Sequence, residues 1–135
     1  MSLSLSLIKY KMTNEGKYIE EGLRVIKHCF LSEKTKDRIL TKISFAELTL
    51  FEDENSTEFS TLDCILDQNL NDVITLISNM FLDLFLEEKN TLVTKLEQNL
   101  HETIIKFGEI SNIYTLITLK KNEYADDKSV IVKIG

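Results

Sequence analysis

The chain has 135 residues, 43% of them hydrophobic, and a net charge of −6. That length suits one domain, residues 1–135, which buries roughly two-thirds of its unfolded surface without a disulfide or metal staple. The hydrophobic content excludes a disordered chain. The acidity, with no basic stripe, argues against a nucleic-acid binder.

No proline and only four glycines predict long regular elements. "SLSLSLIKYKM" alternates with the period of a strand. Leu3, Leu5 and Leu7 share one face, and Ile8, Tyr10 and Met12 share the other. This strand is expected to be covered on both sides or bulged near Leu7–Ile8. Residues 17–31 read as a helix on Ile19, Leu23, Ile26 and Phe30, weakened by Gly22. Ser32 caps the next segment. Residues 33–52 are read as a helix on Ile39, Leu40, Ile43, Ala46, Leu50 and Phe51, with a strand over 38–51 as the alternative. "EDENSTEFS" is a loop.

Residues 61–88 carry the strongest helical pattern, from Leu62, Ile65 and Leu66 through Ile77, Phe81 and Phe85. Leu76, Met80, Leu82 and Leu86 add a second apolar face. Thr91 caps a predicted helix over 92–107, striped by Leu92, Val93, Leu96, Leu100, Thr103, Ile104 and Phe107, and Gly108 is its expected stop. "IYTLITLKK" and "SVIVKI" read as two strands of a hairpin. The expected class is α+β: a mainly helical core packed on a small antiparallel sheet made by the N-terminal strand and this C-terminal hairpin.

The chemistry-bearing residues are few. Glu97 and His101 stand i, i+4 and can reach one point off a helix face. Zinc needs three or four ligands, so Glu102, His28, Cys29 or Cys64 would have to complete such a site. The plainer reading is a surface pair. Adjacent His28 and Cys29 point apart on a helix and cannot act as base and nucleophile. The four scattered glycines form no phosphate loop. Glu52, Asp53 and Glu54 lack calcium-loop spacing. Cys29 and Cys64 read as small buried hydrophobes in a reducing compartment, which places the chain in the cytoplasm. No apolar run approaches the length of a membrane span.

"NLHETIIKFGE" resembles the N-box helix of sensor histidine kinases in Asn99, Leu100, Lys106, Phe107, Gly108 and Glu109. "IYTLITLKKNEYADDKSVIVKIG" is then similar to the hairpin leading to the family's D-x-G motif. "LNDVITLISNMFLDLF" and "KTKDRILTKIS" resemble parts of its dimerisation helices. The departures are specific. The metal-binding asparagine falls on Thr103, the phospho-acceptor histidine on Phe45, and the adenine-binding aspartate on Lys133. The resemblance therefore implies a degenerate signalling relative that keeps paired helices and has lost phosphotransfer and nucleotide binding.

The expected function is that of a non-enzymatic protein–protein interaction or assembly module. It would self-associate or dock on a protein partner through the 61–88 helix, at Leu76, Met80, Leu82 and Leu86. No catalytic residue, metal, cofactor, nucleotide, nucleic acid or membrane is expected to take part. The alternative is a small metal-dependent enzyme using Glu97 and His101.

Overall fold

The computed structural model describes residues 4–51, 59–86 and 92–135. In chain order the elements are β1 (Ser4–Met12), β2 (Tyr18–Phe30), α1 (Glu33–Lys42), β3 (Phe45–Phe51), β4 (Phe59–Ile65), α2 (Leu70–Leu86), α3 (Leu92–Glu123) and β5 (Val130–Ile134), with a short 3₁₀ turn, Asp67–Asn69, before α2. The class is α+β, as expected. The strands, however, are not the ones the sequence pattern suggested.

β1 is the expected strand, and it is covered on both sides. Leu5 and Leu7 enter the helix-side core, whereas Ile8 and Tyr10 enter a second cluster with Cys64 and Ile131. Its partner is β2, where a helix was expected. The pairing Leu7↔Lys27 is followed by Ile8↔Val25, leaving Ile26 as an extra residue. A larger irregularity spans Lys9↔Arg24 to Lys11↔Ile19 and includes Gly22 at φ +76°. Each extra residue reverses the alternation of side chains, so a bulged strand imitates helical spacing at Ile19, Leu23, Ile26 and Phe30. The positive φ at Gly22 belongs to no α-helix.

α1 occupies the first half of the predicted 33–52 helix. The Ser32 side chain accepts from the Thr35 amide, and Glu33 and Lys42 match the dipole at its two ends. Glu109 of α3 accepts from the Ser32 hydroxyl at 3.0 Å and ties the start of α1 to the long helix. After Ile43 the chain becomes β3, which pairs along its length with β4 from Phe45↔Ile65 to Phe51↔Phe59. The strand alternative for this stretch is thus realised in part. β4 takes residues 59–65, so the predicted 61–88 helix begins only at Leu70. Its apolar spacing ran unbroken across a strand–helix junction.

The loop expected over 52–60 falls mostly outside the described residues, as does the Thr91 cap. Gly108 does not end α3, which runs on to Glu123. "IYTLITLKK" is helical because Ile110, Ile113, Leu116 and Ile117 return to one face and are essentially fully buried. Helix-face burial outweighs the β-propensity of the isoleucines and threonines, at about 1.5–3 kcal/mol for each buried side chain.

The sheet order is β2-β1-β5-β4-β3, antiparallel throughout. β5 is a strand as expected, but it pairs with β1 and β4 at the sheet centre and forms no hairpin. The outermost strands β2 and β3 approach within 8 Å without pairing, so the sheet curls toward closure. α1, α2 and α3 contribute to one core with Leu5, Leu7, Val130 and Val132. The smaller cluster of Ile8, Tyr10, Cys64 and Ile131 fills the other side of the sheet.

Candidate functional site

α2 and α3 lie antiparallel. Lys121 donates to the Asn71 side chain near one end of their contact, and Phe81 stacks at a tilt on Phe107, with ring centroids 4.9 Å apart, near the other. Val73, Ile77, Met80 and Leu84 of α2 point inward with Ile110, Ile113, Leu116 and Ile117 of α3. The opposite sides of both helices face outward. Between them runs a groove of about 580 Å³, lined by Ile77, Phe81, Leu82, Ile110, Tyr114 and three hydroxyl residues, none of them charged.

The groove is flanked by two rows set by helical spacing. Asn71, Thr75, Ser78 and Leu82 form the α2 row, and all four are exposed. Ile104, Gly108, Ser111, Thr115 and Asn122 form the α3 row. No residue in either row carries a charge. Leu82 is 50% exposed, Ile104 55% and Tyr114 47%. The Thr75 hydroxyl donates to the Asn71 carbonyl at 3.0 Å, and the Thr115 hydroxyl to the Ser111 carbonyl at 2.9 Å. Both hydroxyls are therefore satisfied within their own helices. A Cβ built on Gly108 would meet nothing within 4 Å among the described residues, so their packing does not demand this glycine.

The four expected interface residues separate. Leu76 and Met80 are buried, 6% and 2% exposed, in the core beneath α2. They cannot contact a partner, because α2 turns that side onto α3 and the sheet. Leu82 is on the outer face. The side chain of Leu86 lies outside the described residues. Ile104 and Tyr114 are surface residues that the local pattern hides for separate reasons: the spacing puts Ile104 in the buried stripe of the helix predicted over 92–107, and Tyr114 in a predicted strand. The signal that could have found them is the charge-free row, visible once 104–122 is read as one helix.

Among the described residues the chemistry-bearing side chains do not converge. His101 is exposed on α3, and the Glu97 side chain lies outside the described residues. Among the described residues no three His, Cys, Asp or Glu side chains are grouped as metal ligands. His28 and Cys29 are neighbours on a strand and face opposite sides of the sheet: Cys29 pairs with Leu5 and His28 with Ser6. Burial pushes the Cys29 thiol up to about 11 and raises that of Cys64 as well. Both are protonated, poor nucleophiles near neutral pH. Thr103 is buried on α3, whereas Lys133 shares the opposite sheet face with Ser6 and Cys64. The two positions that the kinase resemblance would bring to one nucleotide lie on different sides of the sheet.

One cation among the described residues, Lys120, is buried. The Lys120 side chain is 1% exposed, and its Nζ donates to the carbonyls of Tyr124 and Asp127 at 2.9 and 3.2 Å. It also lies 3.6 Å from the carboxylate of Asp67. The arrangement holds the end of α3, the turn into β5 and the 3₁₀ turn before α2 together. Its sequence signal was a lysine three residues after Ile117, in phase with the buried row.

Compared with known proteins, the chain matches no family model, no curated protein and no solved structure. Among the described residues no helix is long and apolar enough to cross a membrane.

Proposed function

We propose that this chain is a non-enzymatic protein–protein interaction module whose working surface is the outer face of α2 and α3. The observation that carries the reading is the charge-free groove with Leu82, Ile104 and Tyr114 exposed along it. In a chain with 28% charged residues, a solvent-facing pair of helices ordinarily carries ions on its outer rows. An apolar groove rimmed by uncharged polar side chains is the composition of an interface core.

The metal-dependent alternative gains no third ligand beside His101 among the described residues, and neither thiol is poised for attack. Two unpaired buried cysteines, set in separate clusters, support a reducing compartment and hence a cytoplasmic location. A signalling role, as a non-catalytic relative of sensor histidine kinases, rests on the Asn99–Glu109 motif alone. α3 departs from that pattern by continuing where the resemblance implies a hairpin.

The test is a double substitution, Leu82→Asp with Tyr114→Asp. Both side chains are about half exposed, so the circular dichroism spectrum should stay that of the parent. Association, with itself or with a protein retained from its host lysate, should be lost. Stoichiometric metal in the purified protein, together with turnover that survives the double substitution, would defeat the reading.

A further inference from the structure

We infer that the occupant of the α2–α3 face is a second copy of this chain, docked about a two-fold axis to form a reversible homodimer. The inference rests on the interaction-module reading and names its partner.

Charge is the first argument. Each copy carries −6, so two copies repel wherever their surfaces meet through ions. The α2 row of Asn71, Thr75, Ser78 and Leu82 and the α3 row of Ile104, Gly108, Ser111, Thr115 and Asn122 bring no carboxylate to the contact, and the ammonium at its edge, Lys121, is held on the Asn71 side chain. A basic partner, the natural complement of an acidic chain, would find no carboxylate on either row. The face is electrostatically suited to a surface like itself.

Shape is the second. A two-fold contact needs one patch that holds both the projection and the recess. Leu82, Ile104 and Tyr114 project, and the groove of about 580 Å³ receives. Ser78, Gly108, Ser111 and Thr115 keep the ridge between them low. Gly108 weakens the middle of α3 and relieves no contact among the described residues. Close passage of another helix backbone is what a glycine at that point permits. The hydroxyls of Thr75 and Thr115 are satisfied by their own helices, so covering them leaves no donor stranded.

Area is the third. α2 has 17 residues and is about 25 Å long. Two helices side by side are about 20 Å across, which makes a face on the order of 500 Å² in flat projection. Interdigitated side chains raise the buried area toward the roughly 800 Å² per partner of a standard interface. That size fits a dimer that forms and dissociates.

Sedimentation equilibrium of the full chain from about 1 to 200 μM decides the matter. The expected result is a concentration-dependent shift from 15.6 kDa to twice that mass, strengthened by added salt as the surrounding charges are screened. Leu82→Asp should weaken the dimer by about a hundredfold or more. Gly108→Ala should weaken it about tenfold while leaving thermal stability equal or higher, a pair of opposite signs that a purely structural glycine would not give. A wild-type chain that stays monomeric to the highest concentration overturns the inference. So does a dimer that ignores both substitutions. If the monomeric wild type still retains a lysate protein that Leu82→Asp loses, the interaction module stands and only self-pairing falls. If it retains none, both fall.

Discussion

Lys120 owes its place to what its ammonium meets at the end of α3. Two carbonyls and the Asp67 carboxylate replace the water it gives up. Lys120→Met keeps the aliphatic volume and removes the charge-assisted hydrogen bonds, so it should cost about 2–3 kcal/mol. Urea unfolding should show a lower midpoint with an unchanged slope. Asp127 works in the same turn through its carboxylate. Hydrogen bonds from the Ser129 hydroxyl and amide, with Lys9 3.5 Å away, hold its pKa below the ordinary 3.8. The folded state therefore takes up this proton at lower pH than the unfolded state. The contribution is fully present above pH 3.8 and is lost as pH falls through the lower folded value. Asp127→Asn should be less stable than wild type at neutral pH, and the gap should close on acidification below that range. A gap that widens on acidification would contradict this assignment.

At the scale of elements, α3 and β2 show opposite failures of local pattern. In α3 the residues favour strand and the period favours helix. The period prevails because Ile110, Ile113 and Ile117 can bury together only on a helix. Ile117→Ala should accordingly cost about 2–5 kcal/mol, and Ile104→Ala, on the exposed row, no more than about 0.5. Denaturation of the two variants separates the inner from the outer face of α3, and equal losses would mean that the helix is turned differently. In β2 the spacing imitates a helix, but the backbone is extended with an extra residue at Ile26 and a left-handed glycine at Gly22. A bulge is set by how two strands meet, so no window of β2 alone contains it.

For the molecule as a whole, the first and last strands pair at the middle of the sheet, and the three helices lie on one side of it. Thr103 belongs to that helical layer, whereas Lys133 faces the other side. No shared nucleotide site follows from the kinase-like motif. Of the chain's four glycines, Gly16, Gly22 and Gly135 take positive φ, and Gly108 lies within α3. Mg-ATP at about 1 mM should leave the melting temperature unchanged. A site of about 100 μM affinity would add about 1.4 kcal/mol at that concentration, enough to raise the transition by several degrees. Such a rise would restore the nucleotide-binding class that the sequence argued against.

What could be read from the sequence by itself is whatever its own neighbours decide. The two-sided strand at Leu5–Tyr10, the helical run within 70–86, the cap at Ser32 and the strand at Val130–Ile134 all follow from local spacing and composition. So does the absence of a glycine-rich phosphate loop. Only the tertiary structure decided that 18–30 and 59–65 are strands, because their partners lie elsewhere in the chain and pairing is a non-local choice. It also decided that Leu76 and Met80 belong to the core while Leu82 belongs to the surface. A helix that is apolar on several sides does not say which side the sheet will take. That depends on where β1, β5 and α3 stand when they pack.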